Sequence, residues 1–152
     1  MRANDDLRAE YLLIQAQYEA YDQRALTLKG FATPLLGAGL AVGVGGEDSL
    51  VLLGTAFVAA ALWLLEAMWK SFQYCFAARI EAIEAWYLGE GDEHFPPFQI
   101  FTEWGRAWRS HYRTWRALPP ILRLGFVALP YAVVIAFSLL AIAVVEFGRI
   151  AA

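Results

Sequence analysis

The chain has 152 residues, 59% hydrophobic and 18% charged, with a net charge of −3. That is too apolar for an ordinary soluble domain, and it lacks the basic face or tail of a nucleic-acid binder. Its single cysteine, Cys75, permits no internal disulfide and has no neighbour at metal-ligand spacing.

In chain order, Asn4 or Asp5 can cap a first helix, with acid in its opening turn. Leu7, Tyr11, Ile14, Tyr18, Tyr21, Ala25 and Leu28 then recur at alternating spacings of four and three. Such a seam packs one helix on another. Asp6, Arg8, Glu10, Gln17, Glu19, Gln23 and Arg24 cover much of the remaining surface. The pattern predicts an amphipathic helix over 4–28, outside the membrane, with Leu7, Tyr11, Ile14, Tyr18 and Tyr21 as its packing seam. The segment through Ala25 is too polar to hold the apolar core of a signal peptide, so insertion is expected to use internal spans.

A first span is expected over 26–45. It carries Pro34 and several glycines, of which Gly39 and Gly43 form a G-x-x-x-G that permits close helix approach. The stretch Gly45-Gly-Glu-Asp-Ser49 makes a short turn, so the next span returns antiparallel. That second span is almost wholly apolar from Ser49 to Leu65. It then continues without a Gly or Pro break to about Leu88, so 49–88 is far longer than the about 20 residues a bilayer needs. In its second half Glu66, Lys70, Gln73, Glu81 and Glu84 fall within roughly 80° of one another on a helical wheel. Phe72, Phe76, Ile80, Ile83 and Tyr87 mostly take the other side.

Leu88-Gly-Glu-Gly-Asp-Glu-His-Phe-Pro-Pro97 reads as a stop. From 98 to 118 Phe101, Trp104, Trp108, Tyr112 and Trp115 share a helical face, beside Arg106, Arg109, Arg113 and Arg116. An aromatic face next to an arginine face is the pattern of a helix lying in the membrane interface. Pro119-Pro120 is expected to end it. A third span is expected over 124–146, interrupted by Pro130.

Of the twelve Lys and Arg residues, four lie in the N-terminal segment (Arg2, Arg8, Arg24 and Lys29), seven run from Lys70 to Arg123, one follows the last span, and the hairpin turn has none. The positive-inside rule then places the N terminus and the long middle segment in the cytoplasm, with the C terminus on the other side. The expected fold is an all-α membrane protein. It has three transmembrane helices, an N-terminal cytoplasmic amphipathic helix, a cytoplasmic extension of the second span and an interfacial helix.

The polar stripe admits three readings. Glu66 and Lys70, at i and i+4, are in the order that suits a helical ion pair, so they can neutralise each other while Lys70 snorkels. Alternatively, Glu66 from several subunits lines the inner mouth of a pore, where a carboxylate ring favours cations. In the third reading the stripe seams against the first helix, whose Arg24 and Lys29 complement Glu81 and Glu84 or Glu66. Asp92, Glu93 and His94 are adjacent, but consecutive residues rarely converge on one metal, and an acidic turn is the simpler account. Trp and Arg on the aromatic helix are read as contacts to lipid rather than to bases, because the last span pins that helix at the bilayer surface. Cys75 reads as a packing residue whose position leaves acylation open. The sequence offers no catalytic constellation, cofactor motif or metal site.

The strings Tyr18-Glu-Ala-Tyr-Asp-Gln-Arg-Ala-Leu-Thr-Leu-Lys-Gly30 and Trp63-Leu-Leu-Glu-Ala-Met-Trp-Lys-Ser-Phe-Gln-Tyr74 resemble a group of small bacterial membrane proteins with no assigned activity. The layout is also similar to the SLATT-type effectors of bacterial conflict systems, where a transmembrane hairpin precedes a long cytoplasmic helix. That resemblance implies pore formation or membrane disruption as the output; the third span and the interfacial helix depart from it. The expected function is therefore that of a homo-oligomeric, channel-like or membrane-perturbing effector in the bacterial inner membrane. The alternative is a non-catalytic anchor that docks a cytoplasmic partner through its N-terminal helix. The expected partners are the lipid bilayer, further copies of the chain and a cytoplasmic protein, with no nucleic acid.

Overall fold

A computed structural model describes residues 2–90 and 95–151, and every regular element among them is helical. The acidic turn at Asp92, Glu93 and His94 lies outside the described residues. Helix α1 spans Arg2–Gly45 and α2 spans Ser49–Tyr87. Helix α3 covers Ile100–Ala107, followed by a π turn at Trp108–Tyr112 and a 3-10 turn at Trp115–Ala117. Helix α4 is Leu118–Leu122 and α5 is Gly125–Ala151. Three of these helices, α1, α2 and α5, are long and apolar enough to cross a membrane.

The separate helices expected at 4–28 and 26–45 are one continuous helix of 44 residues. At about 1.5 Å per residue it runs to about 66 Å, roughly twice a bilayer's hydrocarbon thickness. No helix-breaking cluster separates the two stretches, and a lone Gly30 costs only about 1 kcal/mol relative to Ala. The start of α1 at Arg2 also puts Asn4 and Asp5 inside the first turn rather than at the cap, within the usual latitude of helix ends. Helix α5 likewise runs beyond Glu146 to Ala151.

The turn between α1 and α2 is built by local hydrogen bonds. Glu47 takes a left-handed backbone with φ 49°. The Asp48 N–H returns to the Gly43 carbonyl at 2.9 Å, and the Glu47 N–H to the Val44 carbonyl at 3.3 Å. Together they form a Schellman closure, with Glu47 where glycine usually stands. The Asp48 carboxylate then accepts the Leu50 and Val51 N–H groups and caps α2.

The 98–118 segment is not the single helix the sequence pattern predicts. Ser110 donates its hydroxyl to the Arg106 and Ala107 carbonyls, a back-bond that bends helices. After the π turn, Thr114 is extended, with φ −98° and ψ 145°. Pro119 and Pro120 do not terminate a helix but open α4, where a missing N–H costs nothing.

The chain divides into two compact units: Met1–Arg24 with Met68–Pro119, and Ala25–Ala67 with Pro120–Ala152. In the first, Leu7, Ile14 and Ile83 form the buried centre, with Tyr11, Phe76, Ile80, Trp86, Phe95 and Ile100 around it. In the second, Ala32, Leu36, Ala59 and Tyr131 are the centre, flanked by Leu62, Trp63, Val134 and Ile135. A side chain at Gly43 would meet Leu52 at 2.7 Å, and one at Gly39 would collide with Thr55. The G-x-x-x-G therefore serves the close approach of α1 to α2 within the chain's own hairpin.

Candidate functional site

Within the second unit, one group of charges stands out against an apolar background. Glu66 projects from α2 among Ala, Leu and Trp residues and is 2% exposed. Its carboxylate accepts the Lys29 ammonium of α1 at 2.7 Å and the Tyr131 hydroxyl of α5 at 2.9 Å. Lys29 also donates to the Phe126 carbonyl at 2.5 Å. That carbonyl is available for a sequence reason. Pro130, four residues on, has no N–H to give it, so the usual i to i+4 helix bond is missing there. The cluster thus ties three helices through one carboxylate, one ammonium, one phenol and one proline-freed carbonyl, with no net charge. Trp63 adds a further tie by donating its indole N–H to the Leu122 carbonyl at 3.1 Å.

The first unit holds a second buried pair that the sequence pattern placed elsewhere. Glu10, expected on the solvated side of the first helix, is fully buried. Arg79 clasps it through two parallel hydrogen bonds of 2.9 Å each. The same guanidinium donates to the Pro96 carbonyl at 2.8 Å and lies 4.2 Å over the Phe95 ring. Glu10 accepts one further donor, the Phe98 N–H at 2.7 Å. Phe98 itself has φ 60°, a conformation that costs a bulky residue about 1–2 kcal/mol. The clamp holds that residue in place.

The predicted stripe is distributed rather than shared. Glu66 and Lys70 take ion-pair partners from α1: Glu66 pairs with Lys29, and Lys70 with Asp22 at 2.7 Å. Gln73 is buried and donates to the Tyr18 carbonyl and to Asp22. Its amide oxygen is buried without a hydrogen-bond partner. Glu84 is exposed and accepts the Tyr11 hydroxyl at 2.8 Å, while Glu81 is exposed on the first unit. Of the seam, Leu7 and Ile14 are buried and Tyr11, Tyr18 and Tyr21 half-buried. Cys75 is fully buried with its thiol against the Ser71 carbonyl, which closes it to acylation in the folded chain.

The aromatic residues of the 98–118 segment divide into two groups. Trp104 and Trp108 stack at 6.0 Å and pack on Phe72, and the Trp104 indole donates to the Phe72 carbonyl at 3.0 Å. Trp115 stays 79% exposed. Arg106 pairs with Glu103, and Arg109, Arg113 and Arg116 are exposed. Burial pushes the Tyr112 phenol above its ordinary range, with Cys75, Tyr18 and Glu81 adding to the shift.

Glu10 and Arg79 were missed although a signal was present. Glu10 falls within about 60° of Leu7 and Ile14 on the wheel, so it belongs to the seam's own arc. Arg79 sits in the row Ser71, Cys75, Arg79, Ile83, all buried and four apart. A long cation in a row of small and apolar residues marks a buried partner. Among the described residues no three His, Cys, Asp or Glu side chains converge on a metal position. Comparison with protein-family models, with curated proteins and with solved structures gave no match to this chain.

Proposed function

We propose that this chain is a homo-oligomeric, channel-like or membrane-perturbing effector of the bacterial inner membrane. Its N terminus and first unit are cytoplasmic, and the Lys29–Glu66–Tyr131 cluster is the latch that holds its spans at rest. One observation carries the reading: a buried carboxylate paired with a half-buried ammonium, with both partners hydrogen-bonded to a third helix. Ionisable groups in a membrane are costly and mark pathways or switches. Replacing such a pair by leucines is often neutral or stabilising, so stability alone does not call for it. A conformational latch does. The partners of Glu66 also move the pore reading away from a permanent carboxylate ring and toward a carboxylate that becomes available only when Lys29 lets go.

The test uses Lys29→Leu with Glu66→Leu, which removes the two charges together and leaves no unpaired buried charge. If the latch contributes about 1.4 kcal/mol to the resting state, the open fraction and the conductance in reconstituted bilayers rise about tenfold. Equal conductance for both proteins, or a single copy per particle by native mass, sinks this reading. One observation favours the anchor alternative. Leu12 and Leu13 are 59% and 49% exposed on the first helix, on the side away from the buried seam. Loss of a cytoplasmic partner on Leu12→Asp, with the latch variant silent, would support that second reading.

A further inference from the structure

We propose that the hollow beside the π turn is a binding site for the headgroup of an anionic phospholipid. It encloses about 200 Å³ and lies wholly within the first unit. Met68, Leu118, Trp108 and Trp115 are among its apolar and aromatic lining residues, and Arg113 and Thr114 among its polar ones. The volume is below the about 300–1,000 Å³ of pockets that enclose whole small molecules, which suits a headgroup whose tails remain outside. Part of this lining is set in advance. Trp108 is fixed by stacking on Trp104 and by its 5.0 Å contact with Phe72, so little ordering is needed on binding.

Charge decides the occupant. Glu103 engages Arg106, whereas no ion pair among the described residues engages Arg109, Arg113 or Arg116. Of these three, Arg113 lines the hollow, and its exposed guanidinium calls for an anion, since a guanidinium meets a phosphate with two parallel hydrogen bonds. Position decides the source of that anion. Leu118 lies in the same stretch as α4, close in sequence to Gly125, where the apolar α5 begins. The choice of source rests on the interfacial reading of 98–118, in which the exposed Trp115 is the residue type that settles at headgroup depth. The π turn supplies the geometry, since its wider ring carries the Arg113 N–H to the Trp108 carbonyl at 2.9 Å and turns the next residues outward.

The proposal does not depend on whether the protein conducts. Delipidated protein in detergent is offered phosphatidylglycerol or phosphatidylcholine, and retained lipid is counted by native mass spectrometry. The expected result is one tightly held phosphatidylglycerol per chain, and about a fivefold loss of its retention in Arg113→Gln, the effect of one cation near an anionic surface. Arg106→Gln, whose cation is already engaged, should leave retention unchanged, and Trp115→Ala, at an exposed position, should weaken it for a correctly folded chain. Equal retention of the two lipids overturns the proposal. So does equal weakening by Arg106→Gln and Arg113→Gln, which would signify diffuse charge. Displacement of the lipid by millimolar inorganic phosphate would overturn it too, by making a free anion the ligand.

Discussion

The two units are each pinned by a buried carboxylate paired with a cation across α1 and α2, and the pairs are built in opposite senses. In the first unit the acid, Glu10, is on α1 and the base, Arg79, on α2; in the second, Lys29 is on α1 and Glu66 on α2. Arg79 presents a planar fork that meets Glu10 at two points, and its remaining contacts go to loop groups at Phe95 and Pro96. Lys29 presents a compact point charge on a flexible stem, divided between a carboxylate and a helix carbonyl. A fork fixes orientation, whereas an ammonium can be reassigned by a small rotation. The difference teaches that burial alone does not define a switch. The Arg79 clamp has the geometry of a structural fastener, and the Lys29 cluster has that of a contact able to change partners.

The comparison breaks most sharply at Arg79. Arg79→Met leaves Glu10 buried with the Phe98 N–H as its remaining donor, and an uncompensated buried carboxylate costs about 3–5 kcal/mol. The measurement is the detergent melting midpoint together with protease susceptibility of the segment after Phe95. Strong destabilisation with an unchanged bilayer conductance is expected of a fastener. A change in conductance at unaltered stability would show that the two pairs are not different in kind.

Arg79→Lys tests the fork itself at lower cost. A lysine keeps the charge but cannot make two parallel bonds to Glu10 while also reaching the Pro96 carbonyl. Losing one charge-assisted bond costs about 1.5–3 kcal/mol. The midpoint should fall by less than in Arg79→Met and should not recover at low salt, because the deficit is geometric and not coulombic. Full retention of stability would reduce the Glu10 clamp to a charge pair like the one at Glu66.

Much of the architecture could be read directly. The apolar blocks announced three long helices, and Gly45-Gly-Glu-Asp-Ser49 announced the hairpin turn between the first two, because composition and turn chemistry act locally. The partners of Glu66 could not be read in this way. A helical wheel tells which residues share a face, and not which cation on another helix lies opposite, so Lys29 entered as one of several complements and Tyr131 not at all. Glu10 was lost because an acidic residue was assigned to water by type, although its angle placed it with Leu7 and Ile14. The π turn at Trp108–Tyr112 was hidden because a hydroxyl bonding back to Arg106 and Ala107 leaves the aromatic periodicity intact.

The smallest expected effect concerns where each cation finds its spare acceptor. Arg79 takes the Pro96 carbonyl from a loop, where no helix bond competes for it. Lys29 takes the Phe126 carbonyl from within α5, where Pro130 has no N–H to give it. In Pro130→Ala a backbone N–H returns to compete for that oxygen and the local kink relaxes, so the acceptor withdraws from Lys29. The restored helix bond offsets part of the loss, because a typical hydrogen bond contributes about 0.5–1.5 kcal/mol net. The melting midpoint should therefore shift little. The hold on Lys29 should weaken all the same, and its ammonium should become more reactive toward an amine-directed label than in the wild type. Unchanged labelling in a folded Pro130→Ala chain would mean that the carbonyl contributes nothing to holding Lys29, and the contrast with Arg79 would then rest on the shapes of the two cations alone.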